Sequence, residues 1–166
     1  CSPVAFTNAL AGMAAAYEIP ALLKNGKDHH LSLLETFLSL AKEMQTTIGG
    51  TSSRNATHGI NSYFKSQGVS KHFSATRTGV LDENKTPHRN LNLFPDLISA
   101  FAKGPVIFSD TYKKGPGGHA LTGIKLEIND RNNNMIIDKG EAYALVIDPL
   151  NPSQNYSPNS IDRSGL

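Results

Sequence analysis

The feature that most constrains this chain is a change of apolar period at Gly104-Pro105. Ahead of that point, apolar residues recur at steps of three and four, as they do on helices with one buried face. Behind it, short runs alternate apolar and polar residues, as half-buried strands do. Helices first and strands second is not a βαβ alternation, so the expected fold class is α+β, a helical half followed by an antiparallel sheet. The length of 166 residues suits one domain with a substantial core. Its parts are a mainly helical half over 1–104, a β half over 105–150 and a Pro/Asn/Ser-rich tail over 151–166, where poor order is expected.

Within the first half, Phe6, Leu10, Met13 and Tyr17 form one apolar face of a helix that begins at Cys1. Pro3 suits its first turn, where a missing N–H costs nothing, and Pro20 must end it. Ala5, Ala9 and Ala16 would let a neighbour approach closely. Leu31, Leu34, Leu38 and Ala41, with Phe37 and Met44 beside them, predict a second amphipathic helix ending before Gly49-Gly50. Thr51-Ser52-Ser53 offers caps for a third, carrying Ala56, Ile60 and Phe64 and stopping at Gly68. The stretch from His72 to Thr78 alternates like a strand, and Val80 to Asn92 is polar. Pro95 opens a short fourth helix through Leu97, Ile98 and Phe101, closed by Gly104. Strands are then expected over 105–109, over 119–128 with Ala120, Thr122, Ile124 and Leu126 on one side, and over 142–147.

Composition excludes several classes of function. The formal charge is +2, and the sixteen Lys and Arg are scattered. Without a basic stripe interleaved with aromatics, nucleic acid is not an expected partner. No apolar run approaches the roughly 20 residues of a membrane span. A single cysteine forbids an internal disulfide and any zinc site of several thiolates. Translation does not start with Cys, so removal of an upstream piece is expected. A lipid-bearing cysteine would also begin a chain this way, but such anchors precede a flexible tether, whereas here the helical pattern starts at once.

That cysteine stands where the helix dipole and unpaired N–H groups favour a thiolate. A thiol nucleophile needs a base in reach and a third group to orient that base. Of the six histidines, His29, His30, His58, His72 and His88 fall in polar loops or on exposed helix faces. His119 instead opens a strand behind Gly117-Gly118, where a substrate backbone could approach unobstructed. Asp148 ends the next strand. Antiparallel pairing of the two strands would set the start of one beside the end of the other, bringing His119 and Asp148 together. The plainer reading of Asp148-Pro149 is a strand terminator and turn opener.

Cys1-Ser-Pro-Val with its small-residue helix, Gly117-Gly-His-Ala-Leu-Thr-Gly-Ile124 and Val146-Ile-Asp-Pro149 together resemble the papain-like cysteine peptidases. The nearest likeness is to the bacterial bacteriocin-processing, double-glycine group. Gly50-Thr51 before a helix, Tyr63-Phe-Lys-Ser-Gln-Gly68 and Gly104-Pro-Val-Ile107 extend the resemblance over most of residues 1–150. It implies a papain-like fold in which the nucleophile helix packs on the β half. It also implies Cys1 as nucleophile, His119 as general base and acid, and Asp148 as orienter. The family places a Gln a few residues before its nucleophile to help form the oxyanion hole, a position that lies ahead of Cys1 here.

The expected function is therefore a thiol hydrolase that cleaves a peptide or isopeptide bond in a peptide or protein substrate and requires no cofactor. Alternatives are acyl transfer or deamidation on the same fold, a non-catalytic peptide-binding module, and an N-terminal nucleophile using the Cys1 amine as base. Specificity would reside in the loops 80–92 and 110–117. A separate signal lies between the last two strands. Asp130, Asn132, Asn134, Ile136, Asp138 and Glu141 occupy positions 1, 3, 5, 7, 9 and 12 of a calcium loop, with Ile137 at the apolar position 8. Met135 stands where such loops carry glycine, and Asn and Asp are also ordinary turn residues. The Asn/Ser/Thr-rich composition, this candidate Ca²⁺ loop and the N-terminus suggest a secreted or cell-surface bacterial protein, with a delivered effector or a cytoplasmic protein as alternatives.

Overall fold

A computed structural model describes residues 1–25, 29–77, 93–111, 118–135, 138, 140–150 and 157–161. The fold is α+β. Helices α1 (Ser2–Ala16), α2 (His29–Glu43) and α3 (Ser53–Ser66) precede α4 (Leu93–Lys103) and a single antiparallel sheet. That sheet runs β1 (Val106–Thr111), β2 (Gly118–Ile128), β3 (Ala142–Ile147) and β4 (Ser157–Ile161), in the spatial order β1-β2-β3-β4. Each strand pairs with the next in the chain, a meander that needs no crossover.

Local chemistry sets the helix ends. Cys1 is the N-cap of α1 without a side-chain cap bond, and Pro3 sits in the first turn. Helix α1 ends at Ala16, ahead of Pro20, with Glu18 at φ 55° and the Ile19 N–H bonded back to the Ala14 carbonyl, and Pro20 opens a 3₁₀ turn, Pro20–Leu22. The Ser52 hydroxyl caps α3 by accepting the Asn55 N–H at 3.1 Å. Gly68 and Gly104 adopt positive φ after α3 and α4, where a side chain would be strained.

Two apolar cores result. In the first, Leu10, Leu22, Leu40, Met44, Ile60, Tyr63 and Phe64 join α1, α2 and α3. In the second, Ala142, Ala144 and Val146 of β3 meet Leu97 and Phe101 of α4, Phe108 of β1 and Leu121, Leu126 and Ile128 of β2. Helix α4, helical by sequence, thus belongs to the packing of the sheet. Helix α1 touches both α2 and the sheet strands β1 and β2.

Four local expectations are corrected. In α2, Leu31, Leu34 and Leu38 are exposed, while Ser32, Thr36, Leu40 and Met44 form the buried stripe. The two polar members go inside because they are satisfied there: Ser32 Oγ donates to the Lys24 carbonyl, and Thr36 Oγ1 accepts the Lys24 N–H at 2.9 Å. Ala16 is exposed rather than packed. Residues 72–77 form no strand, and their backbone is held by Asn61, which bonds both the N–H and the carbonyl of Ala75. The side chains of β2 do not keep one alternation. The register shifts between Gly123 and Lys125, so Leu126 joins Leu121 on one face while Ala120 and Thr122 lie on the other, and Ile124 is exposed. The tail adds a strand, β4, whose partner is β3.

Candidate active site

The pairing of β2 with β3 decides the neighbourhood of His119. Thr122 stands opposite Ile147, so Asp148 falls one step further, level with Leu121. His119 shares the pleat face of Leu121. The structure therefore brings His119 and Asp148 to the same edge and the same face of the sheet. Their side chains meet, with His119 Nε2 2.7 Å from Asp148 Oδ1. Both are largely covered, the His side chain being 15% and the Asp side chain 25% exposed.

The same Asp148 oxygen accepts the N–H of Leu150 at 2.8 Å, which fixes the carboxylate from behind. A carboxylate only accepts, so Nε2 is the donor in this pair, and in the neutral ring Nδ1 is then the acceptor. Nδ1 is buried and has no hydrogen-bond partner among the described residues. A buried, unpartnered acceptor is uncommon, because leaving such a group unsatisfied costs about 1–3 kcal/mol.

Cys1 stands at the head of α1, exposed, and its carbonyl accepts the first helical bond from Ala5 N–H at 2.9 Å. The first turn contains no acidic residue that would oppose a thiolate, and Pro3 contributes no donor, so Ser2 and Val4 supply the open N–H groups there. No hydrogen bond between Cys1 and His119 is present among the described residues. Helix α1 and strand β2 are joined three residues beyond His119, where the wholly buried Thr122 Oγ1 donates to the Ala5 carbonyl at 2.8 Å.

His29, His30, His58 and His72 are exposed, and His88 lies outside the described residues, as do the loops 80–92 and 112–117. An open groove of about 330 Å³ lies between α4 and β2, lined by Ile98, Phe101, Ile124, Lys125, Leu126 and Ile128. It includes none of the three residues Cys1, His119 and Asp148.

The loop between β2 and β3 is tightly tied. Asp130 accepts the N–H groups of Asn134 and Met135, while Asp138 Oδ2 accepts the side-chain amides of Asn132 and Asn134. Glu141, only 4% exposed, accepts the N–H groups of Arg131 and Asp138. Met135 takes φ 57°, the positive value that glycine provides in calcium loops. Ile136 and Ile137 lie outside the described residues. Among the described residues no group of three or more His, Cys, Asp and Glu is arranged to hold a metal. The carboxylates of Asp130, Asp138 and Glu141 instead accept N–H groups of the loop itself.

No helix among the described residues is long and apolar enough to cross a membrane. In comparisons with known proteins, no family model, curated protein or solved structure matches this chain.

Proposed function

We propose that the chain is a papain-like thiol hydrolase that cleaves a peptide or isopeptide bond. The observation that carries this reading is the His119–Asp148 pair at 2.7 Å with Nδ1 buried and unpartnered. In the proposed reaction the Cys1 thiol gives its proton to His119 Nδ1 and the sulfur attacks the carbonyl carbon of the substrate. The tetrahedral oxyanion is met by the open N–H groups at the head of α1. Collapse breaks the C–N bond, and the imidazolium returns the proton to the departing amine. Water, deprotonated by the same ring, then attacks the thioester and releases the acid and the Cys1 thiol. Asp148 holds the tautomer that this exchange requires. No step calls for a metal or cofactor, and a secreted or cell-surface setting fits the composition.

The second reading is a papain-like module that binds a peptide without cleaving it. It is favoured by the exposure of Cys1 and the absence of a bond from Cys1 to His119 among the described residues. Hydrogen bonds between catalytic groups often close only around a substrate, which leaves the first reading ahead.

The discriminating experiment is alkylation of Cys1 by iodoacetamide, followed by intact mass across pH, in the native protein and in His119→Ala and Asp148→Ala. A base acting on the thiol makes the native rate at neutral pH exceed that of both variants, with the larger loss in His119→Ala. Equal rates in all three proteins would refute the assignment.

A further inference from the structure

Thr122 links the two halves that carry the proposed site. It lies on β2, 0% exposed, and its hydroxyl reaches across to the Ala5 carbonyl at 2.8 Å, a contact between residues 117 positions apart. Ala5 already donates its own N–H to the Cys1 carbonyl at 2.9 Å, and as an interior helical residue its carbonyl has a helical partner in Ala9. The Thr122 bond is therefore additional to the helix and is not needed to satisfy it. Burying a hydroxyl without a partner would be costly, so the contact fixes where β2 can sit along α1.

The positions on either side matter. Cys1 is four residues before Ala5, about one helical turn or roughly 6 Å along the axis. His119 is three residues before Thr122, roughly 10 Å along the strand. Cys1 and His119, the nucleophile and base of the proposed reaction, thus lie one helical turn and three strand residues from the ends of this bridge, with His119 on the opposite pleat face of β2 from Thr122, and each is reached through rigid backbone. Ala5 at 0% and Ala120 at 2% exposure are small residues, which lets helix and strand approach closely enough for a hydroxyl to span them.

We infer that Thr122 is a positioning residue: its hydroxyl sets the register of α1 against β2 and so the approach of Cys1 to His119. This rests on the reading of Cys1 and His119 as nucleophile and base. Thr122 touches neither the substrate nor the reacting atoms.

The test uses the same alkylation in the full chain. The sulfur lone pair attacks the methylene carbon of iodoacetamide, the C–S bond forms as the C–I bond breaks, iodide leaves, and the thiol proton passes to His119 Nδ1. Rates are measured against pH for the native protein, His119→Ala, Thr122→Val and Thr122→Ser, with melting temperatures alongside. Valine keeps the branching and removes only the hydroxyl. A misplacement near 1 Å costs up to about a hundredfold in well-aligned systems, so Thr122→Val is expected to lose about tenfold or more of the His119-dependent rate. It should do so while still melting cooperatively, with its pH profile moved towards that of His119→Ala, and Thr122→Ser should restore the native profile. A folded Thr122→Val with the native rate and profile overturns the inference and leaves the proposed function standing. A native rate equal to that of His119→Ala overturns the proposed function itself. Should Thr122→Val fail to fold, Thr122→Ser and Thr122→Ala differ by the hydroxyl alone. A slower Ala variant supports the inference, and equal rates refute it.

Discussion

Helix α3 crosses α2 at Gly59, and replacing that glycine by alanine tests how the helical half is held. A Cβ built at Gly59 would lie 2.6 Å from Met44 Cα, Met44 N and Met44 Cγ, whereas ordinary contact begins near 3.4 Å. Two of those atoms are backbone, so no rotamer change relieves the clash, and the helices must separate by about 0.8 Å. Against this, alanine is favoured over glycine in a helix interior by about 1 kcal/mol. Overpacking a tight contact costs about 1–3 kcal/mol, and separation would also loosen the neighbouring contacts of Met44, Ile60 and Tyr63. The clash therefore wins, with a net loss of about 1–2 kcal/mol, or roughly 2–8 °C in melting temperature for a chain of this size. Gly12 supplies the control. It is exposed in α1 with no described atom within 4 Å of a built Cβ, so Gly12→Ala should stabilise by about 0.5–1 kcal/mol. Thermal and urea melts of the two variants read the difference directly. If Gly59→Ala melts at or above the native temperature, α2 and α3 do not pack as closely as described.

Two further predictions concern Tyr63 and the loop 130–141. The buried Tyr63 hydroxyl donates to the Leu22 carbonyl at 3.1 Å, so Tyr63→Phe is expected to cost about 1 kcal/mol. Burial raises the Tyr63 phenol above its usual pKa of 10.0, with a smaller opposing contribution from its hydrogen bond with Thr36. The unfolded chain thus loses this proton first, and stability present below pH 10 falls as pH rises towards the folded value. In Tyr63→Phe that part of the alkaline loss should disappear, and urea melts between pH 9 and 11 check it. For the loop, millimolar Ca²⁺ is expected to raise the melting temperature modestly, and Asp130→Ala to abolish the rise. Calorimetry without heat, together with an unmoved melting temperature, removes calcium from the account.

Legibility in the sequence followed the physics of each segment. Gly68 and Gly104 marked their helix ends, and Pro20 the limit of α1, because proline and glycine change the backbone whatever surrounds them. The class α+β followed from the change of period. The inward face of α2 was not legible, since a stripe of Leu31, Leu34 and Leu38 looks like a core face until Ser32 and Thr36 are seen to find partners at Lys24. The bulge at Ile124 was hidden for a similar reason. Nothing in Gly123-Ile124-Lys125 announces a shift, but a Cβ at Gly123 would lie 2.6 Å from Phe108 Cε2 and 2.9 Å from Phe101 Cζ. The aromatic pair of α4 and β1 can settle on the sheet only because that position has no side chain.

Within the candidate site the same division holds. His119 and Asp148 could be brought together on paper because an antiparallel hairpin leaves few ways to pair its ends, and the observed register of Thr122 with Ile147 is one of them. Thr122 itself could not be singled out. In the sequence it was one member of an alternating strand, indistinguishable from Ala120, and its partner is a backbone carbonyl that no side-chain pattern advertises. Strand pairing depends on neighbours whose order the chain itself supplies, whereas the docking of α1 on β2 depends on contacts across more than a hundred residues. The open Nδ1 of His119 belongs to the second kind: it exists because Asp148 occupies the other nitrogen and because the surrounding fold keeps water away. An imidazole oriented in this way, on the strand that Thr122 bonds to the helix headed by the only thiol of the chain, fits the proposed nucleophilic site, and the alkylation rates of Cys1 decide whether the protein uses it.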